Sequence, residues 1–266
     1  MTNEHIKSSL DQAREILSAN VVNTLKRTRD VARIARAITI IGCIDRNYTD
    51  SILTLQHDDG GWIDTEDTAW ALAYLQSIIP DDQRIESAKR WLEDNELTTG
   101  GWGRSLRDQL RIPITSIILH FCDFERKHKE AFFALQDTWV GDFKMDIKLT
   151  YKGAFYLLGS HGFEPNDALI KETIDFLVEN QNYDGGFGPW KGHPLGSDPW
   201  STGVCLASLC TFSDKTGSEV LDRAANWLLD KQLDSGYWRC HFIDEGSSYA
   251  FWGLKKYYDD VLGLAE

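Results

Sequence analysis

Apolar and polar positions alternate along the chain with the spacing of helices. Ile6, Leu10, Ala13 and Leu17 recur at intervals of three and four residues, which places them on one face of a helix. Amphipathic stretches of this kind and stretches that are apolar on every side follow one another, and together they predict about twelve helices. The amphipathic helices are predicted at 5–26, from Asp81 onward, at 126–136, 166–180 and 216–231, the more apolar ones at 30–43, 65–79, 113–124, 148–160, 199–212 and 247–258, and a short one at 48–56.

This alternation predicts two concentric rings of helices. A helix that is apolar on every side needs cover on both faces, whereas an amphipathic helix leaves one face in water. We therefore expect an all-α chain in which six helical hairpins close into a single (α/α)6 barrel, forming one domain over residues 1–266. The longest irregular segments, about 96–112, 183–198 and 232–246, should gather at one end of the barrel and build any functional site there.

One unit of sequence recurs along the chain and combines a glutamine, a glycine turn and an aromatic residue. Its clearest copy is Gln56–Trp62, with related copies at Gln181–Phe187 and Gln232–Trp238, and weaker ones at Leu97–Trp102 and Gln136–Phe143. A spacing of roughly 40 to 50 residues is typical of arrays of helical pairs. We expect the glycine to end one helix, the aromatic ring to fill the gap between helix pairs, and the glutamine to bind backbone groups at helix ends.

Composition and charge exclude several classes of protein. The net charge of -13 argues against a nucleic-acid binder and against simple electrostatic docking on anionic lipid. The five cysteines are scattered and odd in number, which is typical of reduced thiols in a cytoplasmic protein. The amino terminus has no signal-peptide pattern, and no apolar run approaches about 18 residues, so no transmembrane segment is predicted.

The glutamine–glycine–aromatic units resemble the QW repeats of the terpenoid cyclase and prenyltransferase superfamily. That superfamily includes squalene–hopene cyclases, plant-type class II diterpene cyclases and protein prenyltransferase β subunits. The resemblance covers roughly residues 40–258. It implies the α/α barrel and an isoprenoid or isoprenoid-tailed small molecule as substrate. It bears less directly on activity, because one fold supports many functions.

Acidic residues at the start of the predicted 65–79 helix resemble a motif of class II terpene cyclases. These cyclases carry Asp-x-Asp-Asp-Thr-Ala, whose middle acid protonates an alkene or epoxide, and residues 64–69 here read Asp-Thr-Glu-Asp-Thr-Ala. By this resemblance Glu66 is the catalytic general acid, and Asp64 and Asp67 orient and tune it. The extra methylene of Glu66 displaces its proton by roughly an ångström relative to the motif. Helix capping also explains acids at a helix start, so both interpretations stay open.

Carbocation chemistry needs an apolar, water-free cavity with aromatic faces near the positive charge. The predicted inner helices and their loops supply aromatic residues that we take as the candidate substrate-binding set: Trp70, Tyr74, Tyr151, Trp190, Trp200, Tyr249 and Trp252. The aromatic residues of the glycine turns are expected to be structural instead: Trp62, Trp102, Phe143, Phe187 and Trp238.

Metal-dependent relatives of this fold do not match the chain. Protein prenyltransferases hold zinc through Asp, Cys and His at a fixed spacing, which the stretch Asp198–Cys205 lacks. The pair Asp81 and Asp82 fails the Asp-Asp-x-x-Asp pattern of class I terpene synthases at its last position. We predict no metal site and no cofactor, with Mg²⁺ expected only if the substrate is a diphosphate.

Two alternatives to a proton-initiated cyclase remain at this point. One is a non-catalytic toroid that binds an isoprenoid or serves as a protein-interaction scaffold, since relatives usually pair this barrel with a second one, and a single barrel could require a partner subunit or self-association. The other is a glycan-processing α/α barrel, in which two carboxylates flank a sugar. A deep aromatic pocket with Glu66 at its wall favours the cyclase, a filled barrel favours the scaffold, and an open polar cleft favours glycan chemistry.

Overall fold

The computed structural model describes residues 2–25, 31–42, 46–124, 128–163 and 165–264, without the side chains of residues 21–25. Within these ranges the chain is helical and has no β-strand, only an isolated bridge between Gln232 and Trp238. Twelve α-helices, α1 to α12, precede a π-helical turn at Tyr257–Val261. They span Asn3–Leu25, Val31–Ile41, Arg46–Leu53, Thr65–Leu75, Gln83–Asp94, Ile112–Phe121, Lys129–Phe143, Thr150–Ser160, Asp167–Asn180, Pro199–Thr211, Ser218–Lys231 and Ile243–Lys256.

The even-numbered helices form a closed inner ring. Helix α2 packs against α4, α4 against α6, and the series continues through α8 and α10 to α12, which returns to α2. The odd-numbered helices lie outside this ring, with α5 against α4, α7 against α6 and α8, and α11 against α10 and α12. The predicted all-α barrel of about twelve helices in two rings is therefore confirmed.

Burial explains which helices form the inner ring. Every residue of α10 except Trp200 and Thr211 is buried, whereas α5 buries only a stripe of three side chains. Neighbouring inner helices also approach each other closely: a Cβ added to Gly203 of α10 would lie 2.2 Å from the carbonyl oxygen of Tyr249 on α12. Apolar side chains on every face and small residues at helix contacts together place these segments inside.

The repeated glutamines bind two helix ends at once. The Gln181 Nε2 donates to the carbonyl oxygens of Gly185 and Val220, both at 2.9 Å, which connects its own glycine turn to the first turn of α11. Gln56 makes the equivalent bonds within its turn and to α5, and Gln232 makes them within its turn and to the carbonyl of Ser9 in α1. The last repeat is thereby joined to α1, the first helix of the chain, which closes the outer ring.

The repeated aromatic residues fix the start of each following inner helix. The indole N–H groups of Trp62, Trp102 and Trp238 each donate to a backbone carbonyl ten residues earlier, near the end of the preceding outer helix. The backbone N–H of each repeat aromatic donates to a hydroxyl in the first turn of the next inner helix. These hydroxyls, here called the register hydroxyls, belong to Thr68, Thr115, Thr202 and Ser247, which pair with Trp62, Trp102, Phe187 and Trp238 respectively.

The expected turn at Gln136–Phe143 is wrong, because these residues lie inside α7. The segment has one glycine, Gly141, and this glycine does not adopt the positive φ of Gly60 and Gly185. The expectation that the glycine itself ends the helix is also wrong for these two, because the helices before them end at Leu53 and Asn180. Trp139, within the helix, is fully buried and donates its indole N–H to Thr173. Smaller differences concern α4, which ends at residue 75 rather than 79, and α12, which begins at 243 rather than 247.

Candidate active site at the start of the inner helices

The irregular segments gather, as predicted, at the end of the barrel where the inner helices begin, which we call the mouth. The Thr65 hydroxyl at the start of α4 donates to the carbonyl of Arg104 in the α5–α6 segment, and the Thr150 hydroxyl of α8 donates to that of Gly188 in the α9–α10 segment. A pocket of about 960 Å³, called here the large pocket, opens at the mouth, and this volume is typical of small-molecule sites. Residues of the 97–114 segment form much of its wall, joined by Glu66, Thr138, Asp142, Tyr151, Lys152, Trp200 and Glu245.

Two of the three acids of the cyclase-like motif hold the local structure together. Asp64 is the N-cap of α4, accepts the backbone N–H of Asp67 at 3.0 Å and pairs with Arg104 Nη1 at 2.8 Å. Asp67 is buried, and its Oδ1 accepts the backbone N–H of Ala32 in the first turn of α2 at 2.6 Å. Neither Asp64 nor Asp67 lines the large pocket.

The position of Glu66 relative to the register hydroxyl differs from that of the residues that cap helices. Asp64 lies four residues before the register hydroxyl of Thr68, and Asp198 lies four before that of Thr202 and is likewise an N-cap. Capping therefore accounts for Asp64. Glu66 lies two residues before its register hydroxyl, and its side chain caps no helix, because it points to charged groups and lines the large pocket.

Glu66 lies between two arginines at the mouth. Its Oε2 is 2.6 Å from Arg104 Nη2, and its Oε1 is 3.7 Å from Arg36 Nη1. Burial raises the pKa of Glu66 above its ordinary value, while the two arginines act in the opposite direction and do not cancel the effect of burial. The carboxyl is thus held in a site where its neutral form is favoured more than in water, which suits an acid.

Arg36 is a buried charge that the sequence did not single out. It lies on α2 and is 4% exposed, and its Nη1 is 3.3 Å from Glu245 Oε1 on α12. Its guanidinium carbon lies 5.5 Å from the ring centre of Tyr249 and 5.9 Å from that of Trp70. Arg36 therefore connects three adjacent inner helices, α12, α2 and α4, beneath the mouth.

Glu245 was also missed, although a signal for this residue is present in the sequence. Glu245 lies two residues before the register hydroxyl of Ser247, as Glu66 lies two before that of Thr68. Aligning the polar starts of the inner helices on these hydroxyls would have paired the two glutamates. From the sequence, Arg104 is only one of several loop cations that could serve a diphosphate, and no local pattern pairs it with Asp64 and Glu66, which lie some 40 residues away.

The predicted substrate-binding aromatics divide into three groups. Tyr151 and Trp200 line the large pocket. Trp190 lines a separate pocket of about 290 Å³ beside the end of α9. The other four are buried among the helices and do not line the large pocket: Trp70, Tyr74, Tyr249 and Trp252.

Aromatic rings from the inner helices fill the middle of the barrel. The ring of Phe121 on α6 lies 5.1 Å from that of Trp70 and 5.5 Å from that of Trp252. On the other side, the ring of Tyr249 lies 6.0 Å from Trp252 and 5.5 Å from Trp200. Aromatic rings therefore pack together between the inner helices, and the large pocket has both polar and apolar side chains in its wall.

Other features of the described residues bear on cofactors and membranes. No group of three or more His, Cys, Asp and Glu side chains in this part of the chain is arranged to hold a metal ion. The cysteines at 122, 205, 210 and 240 are free thiols, and Cys43 lies outside the described residues. None of the described helices has both the length and the hydropathy needed to span a membrane.

Comparison with known sequences places the chain near one curated relative. Lanosterol synthase from Pneumocystis carinii is 24% identical over 217 residues, which cover 75% of this chain and 29% of the synthase. The chain thus spans less than a third of the length of that relative. No family model matches the sequence.

Comparison with solved structures confirms the fold. The type II terpene cyclase MstE from Scytonema superposes with a TM-score of 0.71 at 15% identity, over 97% of this chain and 99% of MstE. MstE variants have been solved with geranylgeranyl dihydroxybenzoate as substrate and merosterolic acid A as product. A protein from Actinoplanes matches with a TM-score of 0.71 at 14% identity, over 94% of this chain and 99% of that protein. A possible member of the GH105 family from Salmonella enterica matches with a TM-score of 0.65 at 10% identity, over 98% of this chain and 95% of that protein. The resemblance to terpenoid cyclases is therefore confirmed as a shared α/α-barrel fold.

Proposed function

We propose that the protein is a class II terpene cyclase-like enzyme that cyclises an isoprenoid or an isoprenoid-tailed metabolite, with Glu66 as the proton donor. One observation carries this proposal: of the three acids in the motif, Glu66 is the one that lines the large pocket. Asp67 and Asp64 fix the start of α4 and thereby the position of Glu66. The fold shared with MstE and the sequence similarity to a lanosterol synthase support the same class of reaction.

The reaction begins with proton transfer from Glu66 to the substrate. The O–H bond of the carboxyl breaks, a C–H bond forms at one alkene carbon, and the neighbouring carbon becomes cationic. The next double bond of the substrate donates its electron pair to that carbon and closes a ring, and loss of a proton from the last cation returns an isomer of the substrate. The aromatic faces of Tyr151 and Trp200 at the pocket wall stabilise the positive charge.

The pocket suits a molecule with an apolar tail and a polar head. The apolar side chains of its wall include Leu97, Leu106, Leu110, Ile112 and Ile114, and the remainder is a mixture of charged, polar and aromatic residues. An isoprenoid chain would lie against the leucines and isoleucines with its terminal double bond towards Glu66. The proton starts the reaction, so no redox cofactor takes part, and Mg²⁺ would be required only by a diphosphate head group.

The test is incubation of the purified protein with farnesyl and geranylgeranyl diphosphates, their epoxides, squalene and geranylgeranyl dihydroxybenzoate. Products are identified by mass spectrometry for the wild type, for Glu66→Gln and for Asp198→Asn as a control at a helix N-cap away from the large pocket. We expect a cyclised isomer that Asp198→Asn retains and Glu66→Gln loses, with a melting temperature of Glu66→Gln close to that of the wild type. An isomer formed equally well by Glu66→Gln would end the assignment of the acid.

Two observations favour second candidates, and the same experiment separates them. The aromatic cluster between the inner helices favours a toroid that binds an isoprenoid without converting it, which predicts thermal stabilisation by the panel without products. The large pocket is lined by four carboxylates, those of Glu66, Asp108, Asp142 and Glu245, and the GH105-like fold match agrees with glycan chemistry. That candidate predicts cleavage of an oligosaccharide panel and no response to isoprenoids.

A further inference from the structure

The proposed acid is paired as an anion would be. Both oxygens of Glu66 face guanidinium groups, and the Arg104 contact of 2.6 Å has the length of a charge-assisted hydrogen bond. A carboxylate in this arrangement has no proton to donate. Transfer of a proton to an alkene therefore requires that at least one of the two arginines leaves Glu66 before the reaction.

The two arginines differ in their freedom to move. Arg36 is buried on a helix and lies closer to Glu245, at 3.3 Å, than to Glu66, at 3.7 Å. The side chain of Arg104 is 53% exposed and extends from an irregular segment. If Arg104 leaves Glu66, its Nη1 keeps Asp64 as a partner at 2.8 Å. Arg104 is thus the cation with the greater freedom to leave Glu66, because it is exposed and has Asp64 as a second partner.

Arg104 also lines the space that a ligand would occupy. Glu66, Arg104 and Glu245 line both the large pocket and a neighbouring pocket of about 500 Å³. The Arg104 side chain bridges from its own segment to the start of α4 and so separates the two spaces. Leu106, two residues further along, is 56% exposed and lines the large pocket, so an apolar tail that contacts Leu106 arrives beside this bridge.

We propose that Arg104 is a removable counter-ion, which pairs with Glu66 in the resting protein and withdraws from it when an apolar ligand occupies the large pocket, so that Glu66 takes up a proton from water. This inference rests on the proposed function and names the residue that controls the protonation of Glu66. In the step, the Arg104–Glu66 hydrogen bond breaks, the carboxylate gains a proton from hydronium, and Arg104 remains paired with Asp64. Arg104 is a positioning residue, since it acts through Glu66.

The surroundings of Glu66 agree with this role. The charged and titratable side chains that act on it are Arg36 on α2, Asp64 before α4, Arg104 in the α5–α6 segment, Arg111 at the start of α6, and Glu245 and Tyr249 on α12. Burial raises the pKa of Glu66, and Arg36 and Arg104 lower it. Loss of Arg104 removes one of the two opposing cations, and entry of an apolar ligand adds to the desolvation, so both changes favour the protonated acid.

Glu245 supplies a matched perturbation of opposite sign. It holds Arg36 at 3.3 Å and carries a negative charge near Glu66. Without that charge, Arg36 has Glu66 as its remaining carboxylate partner among the contacts described. Glu245→Gln should therefore lower the pKa of Glu66, whereas Arg104→Gln should raise it.

The experiment follows the protonation of Glu66 directly, by infrared titration of the full chain. The carbonyl band of the protonated carboxyl is assigned by its loss in Glu66→Gln, and its midpoint is compared in the wild type, Arg104→Gln, Arg104→Lys, Glu245→Gln and Arg107→Gln. Arg107→Gln is the control, because it removes an exposed arginine from the same segment without a contact to Glu66. We expect Arg104→Gln to raise the midpoint by about one pH unit or more, with Arg104→Lys between it and the wild type. Arg107→Gln should leave it unchanged, and Glu245→Gln should lower it.

The same titration with geranylgeraniol tests the role of the ligand. We expect geranylgeraniol to raise the midpoint in the wild type and to have much less effect in Arg104→Gln, where the counter-ion is already absent. The proposal is overturned if Arg104→Gln and Arg107→Gln give the same midpoint. It is also overturned if geranylgeraniol shifts the midpoint of the wild type and of Arg104→Gln by the same amount, or shifts neither. The titration needs no turnover, so it separates the two proposals. Shifted midpoints without any product would support the counter-ion role of Arg104 and refute the cyclase. A Glu66-dependent product without shifted midpoints would support the cyclase and refute the counter-ion role.

Discussion

Replacing Arg36 by methionine tests the charge arrangement on which the candidate site is built. The substitution keeps an unbranched side chain on α2 and removes the cation between Glu66 and Glu245. Arg36 is 4% exposed, and the two carboxylates are 18% and 27% exposed, so they lose their shared partner in a place that water reaches only in part. Removing one partner of a buried ion pair costs about 3–5 kcal/mol of unfolding free energy. The partial exposure of the carboxylates favours the lower end, about 3 kcal/mol at pH 8.

The loss should depend on pH in a direction that the structure determines. Burial raises the pKa of Glu66 and Arg36 opposes that effect, so Arg36→Met raises this pKa further. A carboxyl with a folded-state pKa above its unfolded value binds its proton more tightly when folded. Its contribution to stability is complete below the unfolded pKa and is lost as the pH rises through the folded pKa. The deficit of Arg36→Met should therefore be smaller at pH 5 than at pH 8, by about 1.4 kcal/mol for each unit of added shift.

The assay is urea denaturation at both pH values, followed by circular dichroism. Arg90→Met, which removes an exposed arginine from α5, serves as the control and should change the unfolding free energy by less than about 0.5 kcal/mol. The double variant Arg36→Met/Glu245→Gln should recover part of the loss at pH 8, because it removes the charge of Glu245, whereas Glu66 keeps Arg104 as its partner. A loss that is equal at pH 5 and pH 8 and is not recovered in the double variant would refute the argument and point to packing instead.

Three further predictions test other parts of the molecule. Gln181→Met leaves two carbonyl groups without their donors at a buried site, so we expect a loss of about 2–4 kcal/mol in urea denaturation, larger than for the more exposed Gln56→Met. Trp200→Ala should weaken binding of geranylgeraniol, measured by quenching of the remaining tryptophans, whereas Trp190→Ala, in a separate pocket, should not. Any cyclisation rate should fall as the pH rises through the elevated pKa of Glu66, because the proton donor is then lost, and a rate that rises over this interval would contradict an acid role.

The fold could be predicted because its main features are periodic. Two rings of helices require two kinds of helix, and the apolar and amphipathic stretches alternate accordingly. The turns were recognised by a glycine in the left-handed region, as at Gly60, Gly185 and Gly236, although the helices themselves end earlier, at Leu53, Asn180 and Lys231. The prediction failed at Gly141, where a single glycine in a strongly helical stretch lets α7 continue. There Trp139, within the helix, is the fully buried aromatic residue.

The site could be predicted only in part because its partners come from distant segments. The acid cluster was visible as a local motif, but whether it meets water, a cation or a pocket depends on α2, α12 and the α5–α6 segment. Arg36 interrupts an apolar helix, and this position has no local explanation until Glu66 and Glu245 are placed on either side of it. The aromatics of the inner helices could not be assigned to pocket or core, because the sequence does not show that Phe121 and Trp252 meet in the middle of the barrel.

Counting from the register hydroxyl shows which positions keep the same role in every repeat and which position changes its residue type. Positions four residues before the hydroxyl serve as helix starts, and the hydroxyl itself is Thr or Ser in all four repeats that have one. The position two residues before it varies freely: it is occupied by Glu66, Pro113, Trp200 and Glu245, and all four line the large pocket. A position that the fold leaves unconstrained and that always faces the same cavity is where a substrate site can change without loss of the barrel. Two glutamates at this position, on the helices that flank Arg36, are therefore not required by the repeat; both pair with Arg36 and line the large pocket.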